Sequence, residues 1–275
     1  MTVKVLILGA GYGTRLQRDL KQSVDYQHLL GIPKALLPLG SQDALITHWL
    51  TMFEKNNIAK ETDIYVITND ASLLAFQEWA TRHQLPLEHI VSDGTTTNEN
   101  RLGAVPDIQF GIKHFGLENN KVLVVGGDTL FLHDFDLKDF LNKNNNQKGE
   151  MGDNGSLVTT YTVEDDQVHK FGIIEVNDQG IIHSFLEKPS ANDTLSRQAC
   201  PCFYLFSPEA IRLIDQFLEE CKKNQLGLDH YDATGKCIAY LYPRLPIHTY
   251  PISGRIDVGG LQSYIDANQY FNSTI

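Results

Sequence analysis

The chain reads as an α/β protein with a mixed, mostly parallel central sheet flanked by helices. Three observations predict this. Over residues 1–130, short apolar runs alternate with stretches of helical periodicity, the pattern of a parallel, doubly wound sheet. After an Asn-, Lys- and Gly-rich stretch at 141–156, closely spaced strands follow, with a hairpin turn at Asn177-Asp178-Gln179-Gly180. The 275 residues, 42% hydrophobic and 21% charged, can bury a sizeable core.

The elements follow in order. Residues 3–8, Val-Lys-Val-Leu-Ile-Leu closed by Gly9, form a buried strand. Leu45, Ile46, Trp49, Leu50 and Phe53 set a helix at 45–56. A strand at 63–68, a helix at 72–83, a short strand near 89–91, a helix at 104–115 and a strand at 121–125 complete the first half. Residues 141–156 read as a mobile surface loop. Strands are expected at 157–163, 172–176, 181–186, 202–206 and 247–250, and helices at 208–221, 233–241 and 261–271.

A formal net charge of −11 argues against a broad nucleic-acid surface, which needs a basic footprint. No run reaches the ~20 apolar residues of a membrane span, and none near the N-terminus suits a secretion signal. The four cysteines, Cys200, Cys202, Cys221 and Cys237, lack zinc spacing and read as reduced thiols. Together these point to a cytoplasmic protein.

The first strand runs into Gly9-Ala10-Gly11-Tyr12-Gly13-Thr14-Arg15-Leu16. Glycines after a strand let backbone N–H groups cradle phosphate oxygens. The dinucleotide fingerprint fails because Thr14 stands where its last glycine belongs. A Walker A loop fails because Lys-Ser/Thr is absent. What remains is a glycine turn with a fixed cation, Arg15, suited to a triphosphate.

Five segments resemble the sugar-1-phosphate nucleotidylyltransferases. They are Gly11-Tyr12-Gly13-Thr14-Arg15-Leu16; Pro33-Lys34-Ala35-Leu36-Leu37-Pro38; the strand end Val124-Val125-Gly126-Gly127-Asp128; Gly172 with Glu187-Lys188-Pro189; and Asp257-Val258-Gly259. All occur in family order. The resemblance implies a Rossmann-like, GT-A-like nucleotidyltransferase fold. It implies one domain over 1–275, with a nucleotide-binding half at 1–130 and a sugar-phosphate-binding half at 131–275. It also implies a reaction: a sugar-1-phosphate attacks the α-phosphate of a nucleoside triphosphate, UTP or dTTP by preference, and pyrophosphate leaves. Both reactants are anionic, so such catalysis is mainly positioning and charge neutralisation.

Roles carry over by residue. Asp128 and Asp257 are the implied Mg²⁺ ligands, Arg15 holds the β- and γ-phosphates, and Lys34 sits on the α-phosphate. Leu8, Gly9, Ala10, Gly11, Gly13, Thr14, Asn98, Leu102 and Gly103 complete the nucleotide site. Lys188 binds the phosphate of the sugar, Gly172 and Glu187 its hydroxyls, and Tyr204 lines its site. Residues 17–33 form an insert, a lid over the nucleotide or a subunit contact in a homo-oligomer. Arg255 is expected in a surface salt bridge, and Cys202 is expected to narrow the sugar site. The rival readings are a non-catalytic regulatory subunit on the same fold and an enzyme with a non-sugar acceptor such as phosphocholine.

Overall fold

The structure, a computed structural model, describes residues 3–146 and 155–273. Strands β1 (Val3–Gly9), β2 (Ile64–Thr68), β3 (Ile90–Ser92) and β4 (Lys121–Gly126) pair in the order β3-β2-β1-β4, all parallel. Side chains alternate across β1: Val5 and Ile7 enter the core on one face and Leu6 the core on the other. Strands buried on both faces must be apolar nearly throughout, so these four are legible as continuous apolar runs.

Beyond β4 the sheet changes sense. β10 (Phe203–Phe206) runs antiparallel to β4, followed by β6 (Ser156–Thr162), β9 (Gln198–Ala199), β7 (Gly172–Val176) and β8 (Ile182–Glu187). β11 (Ile247–Pro251) lies parallel against β6. The β7–β8 turn closes as expected: Asn177 Oδ1 accepts from the N–H groups of Gln179 and Ile181, and Gly180 takes a φ of +72°.

Helices α1 (Thr14–Gln22), α2 (Leu45–Lys55), α3 (Leu73–Arg82), α5 (Leu137–Asn146) and α8 (Leu261–Ser273) contribute to the core on one face. α4 (Ala104–His114), α6 (Pro208–Lys223) and α7 (Thr234–Leu241) cover the other. Ser207 caps α6 through its hydroxyl, which accepts from Ala210 N–H, and Pro208 opens the helix where no amide is needed. Among the described residues no helix is long and apolar enough to cross a membrane.

Three features depart from the reading of the sequence. Residues 141–146 belong to α5 rather than to a loop, and 147–154 lie outside the described residues. The segment 17–33 is folded onto the body: it carries most of α1, and Leu20 and Leu29 are buried. Gln17 binds Gly31 N–H and Ile32 carbonyl, while Asp19 accepts from Leu261 N–H at the start of α8. A separate two-stranded sheet joins β5 (Thr129–Phe131) to β12 (Arg255–Asp257), antiparallel, with Asp257 opposite Thr129. Three-residue strands bear too little pattern to be read in advance.

Candidate active site

A cavity of about 260 Å³ opens at the C-terminal ends of β1 and β4, where α/β sheets hold ligands. Its floor is the glycine turn. A Cβ on Gly9 would stand 2.6 Å from the Phe76 ring, so only glycine lets α3 pack here. Gly11 has open space around it. Gly13 adopts φ +59° as the N-cap of α1, with the aliphatic stem of Lys34 lying against it. Asn69 Nδ2 donates to Ala10 carbonyl and ties the turn to the end of β2.

Gly127 sits where a Cβ would be 2.5 Å from Leu8 carbonyl, and its N–H donates to that oxygen. This approach carries Asp128 beside the glycine turn. Lys34 Nζ is 3.5 Å from Asp128 Oδ2. Val258 N–H donates to Asp128 carbonyl, which brings Asp257 alongside. Thr129 Oγ1 stands 3.4 Å from Asp128 Oδ1 and 3.5 Å from Asp257 Oδ1. Trp49 Nε1 donates to Thr129 carbonyl at 2.7 Å. The indole packs among Phe53, Phe131, Phe135 and Phe203. Each fully buried phenylalanine of that size contributes about 1.5–3 kcal/mol, so the carboxylate pair stands on rigid ground.

Burial pushes the Asp257 carboxyl up; Asp128 adds to the rise, while Arg255 and Lys34 oppose it. Among the described residues no group of three or more His, Cys, Asp or Glu side chains gathers for a metal. Asp128 on the cavity wall and Asp257 beside it fit magnesium, which completes its shell with waters and phosphate oxygens, and do not fit a zinc cage. Arg15 lies on the first turn of α1, exposed, and makes no ion pair among the described residues. A Cβ on Gly259 would be 3.7 Å from its Nη1 and 3.3 Å from Asp257 Oδ2, so Arg15 and Asp257 share one rim. Thr14 is exposed beside it.

Arg255 is not a surface salt bridge. Its side chain is 12% exposed, its Nε donates to Tyr161 hydroxyl at 2.9 Å, and its guanidinium lies 4.8 Å from the Phe171 ring centre. It stands 3.5 Å from Asp257 Oδ1 and braces that carboxylate from behind.

Toward β8 a second group forms. Glu187 is half-buried against Gly172 and Gly235; a Cβ on either would press on its carboxylate. Burial raises its pKa, with Lys188 and Lys236 pulling it down. Lys188 is exposed, with φ +52° and its N–H bonded to Phe171 carbonyl. Tyr204 is buried in β10, and only through its hydroxyl, 3.1 Å from Thr234 Oγ1, does it reach the cavity wall. Cys202 lines the cavity beside Gly126; burial pushes its thiol up to about 12, so it packs rather than reacts. The four cysteines form no disulfide.

At the opposite end the sequence-based assignment is uneven. Gly103 lines the cavity with φ +105°. Leu102 instead faces another pocket, with Gln109, Leu226 and Tyr231. Asn98 does not line the cavity; its carbonyl accepts from Arg101 Nη1 at 2.9 Å. Arg101 and Ala104, within the segment 98–104 expected here, also line this end, as do Asp107 and Asp232, which the sequence did not single out. Arg101 pairs with Asp232 at 2.8 and 3.2 Å. Asp107 had a signal: it is an acid between Val105 and Ile108 on the apolar face of α4.

The fold and this cleft define a class, α/β proteins with an open cavity over a glycine turn between β1 and α1. A sequence model of the nucleotidyl transferase family matches residues 4–274, and the chain belongs to that family. It is 26% identical to a UTP–glucose-1-phosphate uridylyltransferase of Synechocystis sp. over 77% of this chain and 51% of the relative. It is 29% identical to a glucose-1-phosphate adenylyltransferase of Clostridioides difficile over 54% of this chain and 35% of the relative. The chain thus spans about half or less of the length of these relatives. A solved UDP-glucose pyrophosphorylase, complexed with UDP-glucose, superposes over 100% of both chains with a TM-score of 0.72 at 22% identity. That likeness shows the fold: a mixed, mostly parallel sheet flanked by helices.

Proposed function

We propose that the chain joins a sugar-1-phosphate to a nucleoside triphosphate, giving a nucleoside diphosphate sugar and pyrophosphate. The observation that carries this reading is the meeting of Lys34, Asp128 and Asp257 beside an open glycine turn, with Arg15 on the same rim. Lys34 neutralises charge on the α-phosphate as it is attacked, and Arg15 holds the departing β- and γ-phosphates. Asp128 and Asp257 would hold Mg²⁺, which when bound supplies positive charge shared among the phosphate oxygens. Glu187 accepts from sugar hydroxyls over Gly172, Lys188 draws in the sugar's phosphate, and Tyr204 supports Thr234. In this reading 1–130 is the nucleotide half and 131–275 the sugar-phosphate half of one domain. Four unpaired cysteines support a reducing, cytoplasmic setting.

The test is a matrix of nucleoside triphosphates against hexose- and pentose-1-phosphates with Mg²⁺, read as pyrophosphate release. Release with at least one pair is expected. Silence across the matrix from folded protein would leave a regulatory subunit as the better reading.

A further inference from the structure

Arg255 is a mostly buried cation whose partners reach both halves of the cleft. Its Nη1 stands 3.5 Å from Asp257 Oδ1 and 3.4 Å from Thr129 Oγ1, the hydroxyl that also lies near Asp128 Oδ1. On its other side Nε donates to the Tyr161 hydroxyl, and the guanidinium lies 4.8 Å from the Phe171 ring centre. Tyr161 and Phe171 meet edge to face, with ring centres 6.0 Å apart.

Phe171 leads from this cation to the residues assigned to the sugar phosphate. In the β7–β8 ladder Gly172 lies opposite Glu187, so the next pair outward is Phe171 with Lys188. Phe171 carbonyl accepts from Lys188 N–H at 3.0 Å. Lys188 holds φ +52°, a left-handed conformation that a residue other than glycine keeps where its surroundings fix it. Phe171, seated against Arg255, is thus an anchor for the turn that presents Lys188. An apolar side chain could pack beside the two rings without the cost of burying a charge. A guanidinium does what an apolar residue could not: it holds a carboxylate with one edge and an aromatic pair with the rest.

We propose that Arg255 is a positioning residue that sets the metal carboxylate Asp257 and the sugar-phosphate lysine Lys188 at one fixed separation. The proposal rests on the nucleotidyl-transfer reading of this cleft. In that reaction the phosphate held by Lys188 attacks an α-phosphate placed against Lys34 and the carboxylates. A misplacement of about 1 Å between the two can cost about 10²-fold in rate. Arg255 does not itself line the cavity, so it acts through Asp257 and Thr129 on one side and Phe171 on the other.

The experiment takes the nucleotide and sugar-1-phosphate pair that releases most pyrophosphate with wild type, and compares Arg255→Met, Arg255→Lys and Tyr161→Phe. It reads kcat and KM for the sugar-1-phosphate. Independently of turnover, calorimetry reads binding of the triphosphate and of the nucleoside diphosphate sugar, which alone spans both halves. Arg255→Met should raise KM about tenfold, lower kcat about 10–100-fold and weaken diphosphate-sugar binding about tenfold, with triphosphate binding within about twofold of wild type. Arg255→Lys keeps a cation beside Asp257 but lacks the planar fork, so kcat should recover to within about tenfold while KM stays raised. Tyr161→Phe should raise KM about threefold with kcat little changed. A folded Arg255→Met with wild-type KM and wild-type diphosphate-sugar binding would overturn the proposal. Equal weakening of triphosphate and diphosphate-sugar binding would also overturn it, leaving Arg255 a packing residue. If Arg255→Met does not fold, wild-type KM in both other variants would overturn it. No pyrophosphate release from wild type with any pair would bring down the nucleotidyl-transfer reading and the proposal with it.

Discussion

Replacing Asp107 by asparagine should make the protein more stable at alkaline pH. Burial, with Asp93 adding its charge, raises the Asp107 carboxyl from 3.8 to about 8 in the folded chain. A carboxyl raised on folding favours the native state most when it is protonated in both states. That stability is whole below the unfolded value near 3.8 and is lost as pH rises through about 8. At about 1.4 kcal/mol per unit, the loss over this window has a ceiling of about 5–6 kcal/mol. The cavity mouth admits water and Asp93 shares the titration, so the part retained is about 1–3 kcal/mol. The amide of the Asp107→Asn variant never ionises, so that variant escapes this loss. The assay is thermal unfolding of both proteins at about pH 6 and about pH 8.5, with the variant's advantage at the higher pH about 3–8 °C and smaller at the lower. An equal or lower Tm for the variant at the higher pH would refute the reasoning, because burial and Asp93 would then not hold Asp107 above the usual carboxylate range.

Two further predictions concern the rest of the cleft. Asp128→Asn should lower kcat by about 10²–10⁴-fold with Tm nearly unchanged, since its side chain stands half exposed on the cavity wall, and Asp257→Asn should lower kcat as much but also lower Tm, since it takes the counter-charge from the buried Arg255 guanidinium; near-full activity in either would remove it from the metal site. Gly235→Ala should drive a methyl group into the Glu187 carboxylate and the Phe185 ring, raising KM for the sugar-1-phosphate about tenfold while nucleotide binding by calorimetry stays as in wild type. An unchanged KM would mean that Glu187 does not meet the sugar.

The parts of the fold that were legible are those whose side chains repeat a period over enough residues. β1, β2 and β4 are apolar on both faces, and α2 carries Leu45, Ile46, Trp49, Leu50 and Phe53 on its buried side. α1 is hidden in the sequence because it buries only Leu16 and Leu20 and is otherwise polar. β5 and β12 are hidden because three residues carry no period, and their pairing joins positions 129–131 to 255–257. That pairing is nevertheless what brings Asp257 to Asp128, so the join between the two halves of the candidate site was readable only by family likeness.

The phosphate end was legible for a physical reason that the base end lacks. Binding a triphosphate demands glycines where the backbone must come close and cations at fixed places, so Gly11, Gly13, Arg15 and Lys34 stand out in any reading. Reading a base demands only one or two donors or acceptors, supplied by whatever residue the helix and loop happen to bring there. Such a group shows itself in sequence only as a misfit. Asp107 is a misfit of that kind, an acid on an apolar helix face that is buried yet lines the cavity, with Asp93 beside it. Asn98, by contrast, fits its exposed turn and stands out by position alone; the structure spends its carbonyl on Arg101. A polar residue set against the pattern of its helix is therefore a better guide to the cavity wall than a polar residue that its own turn accounts for.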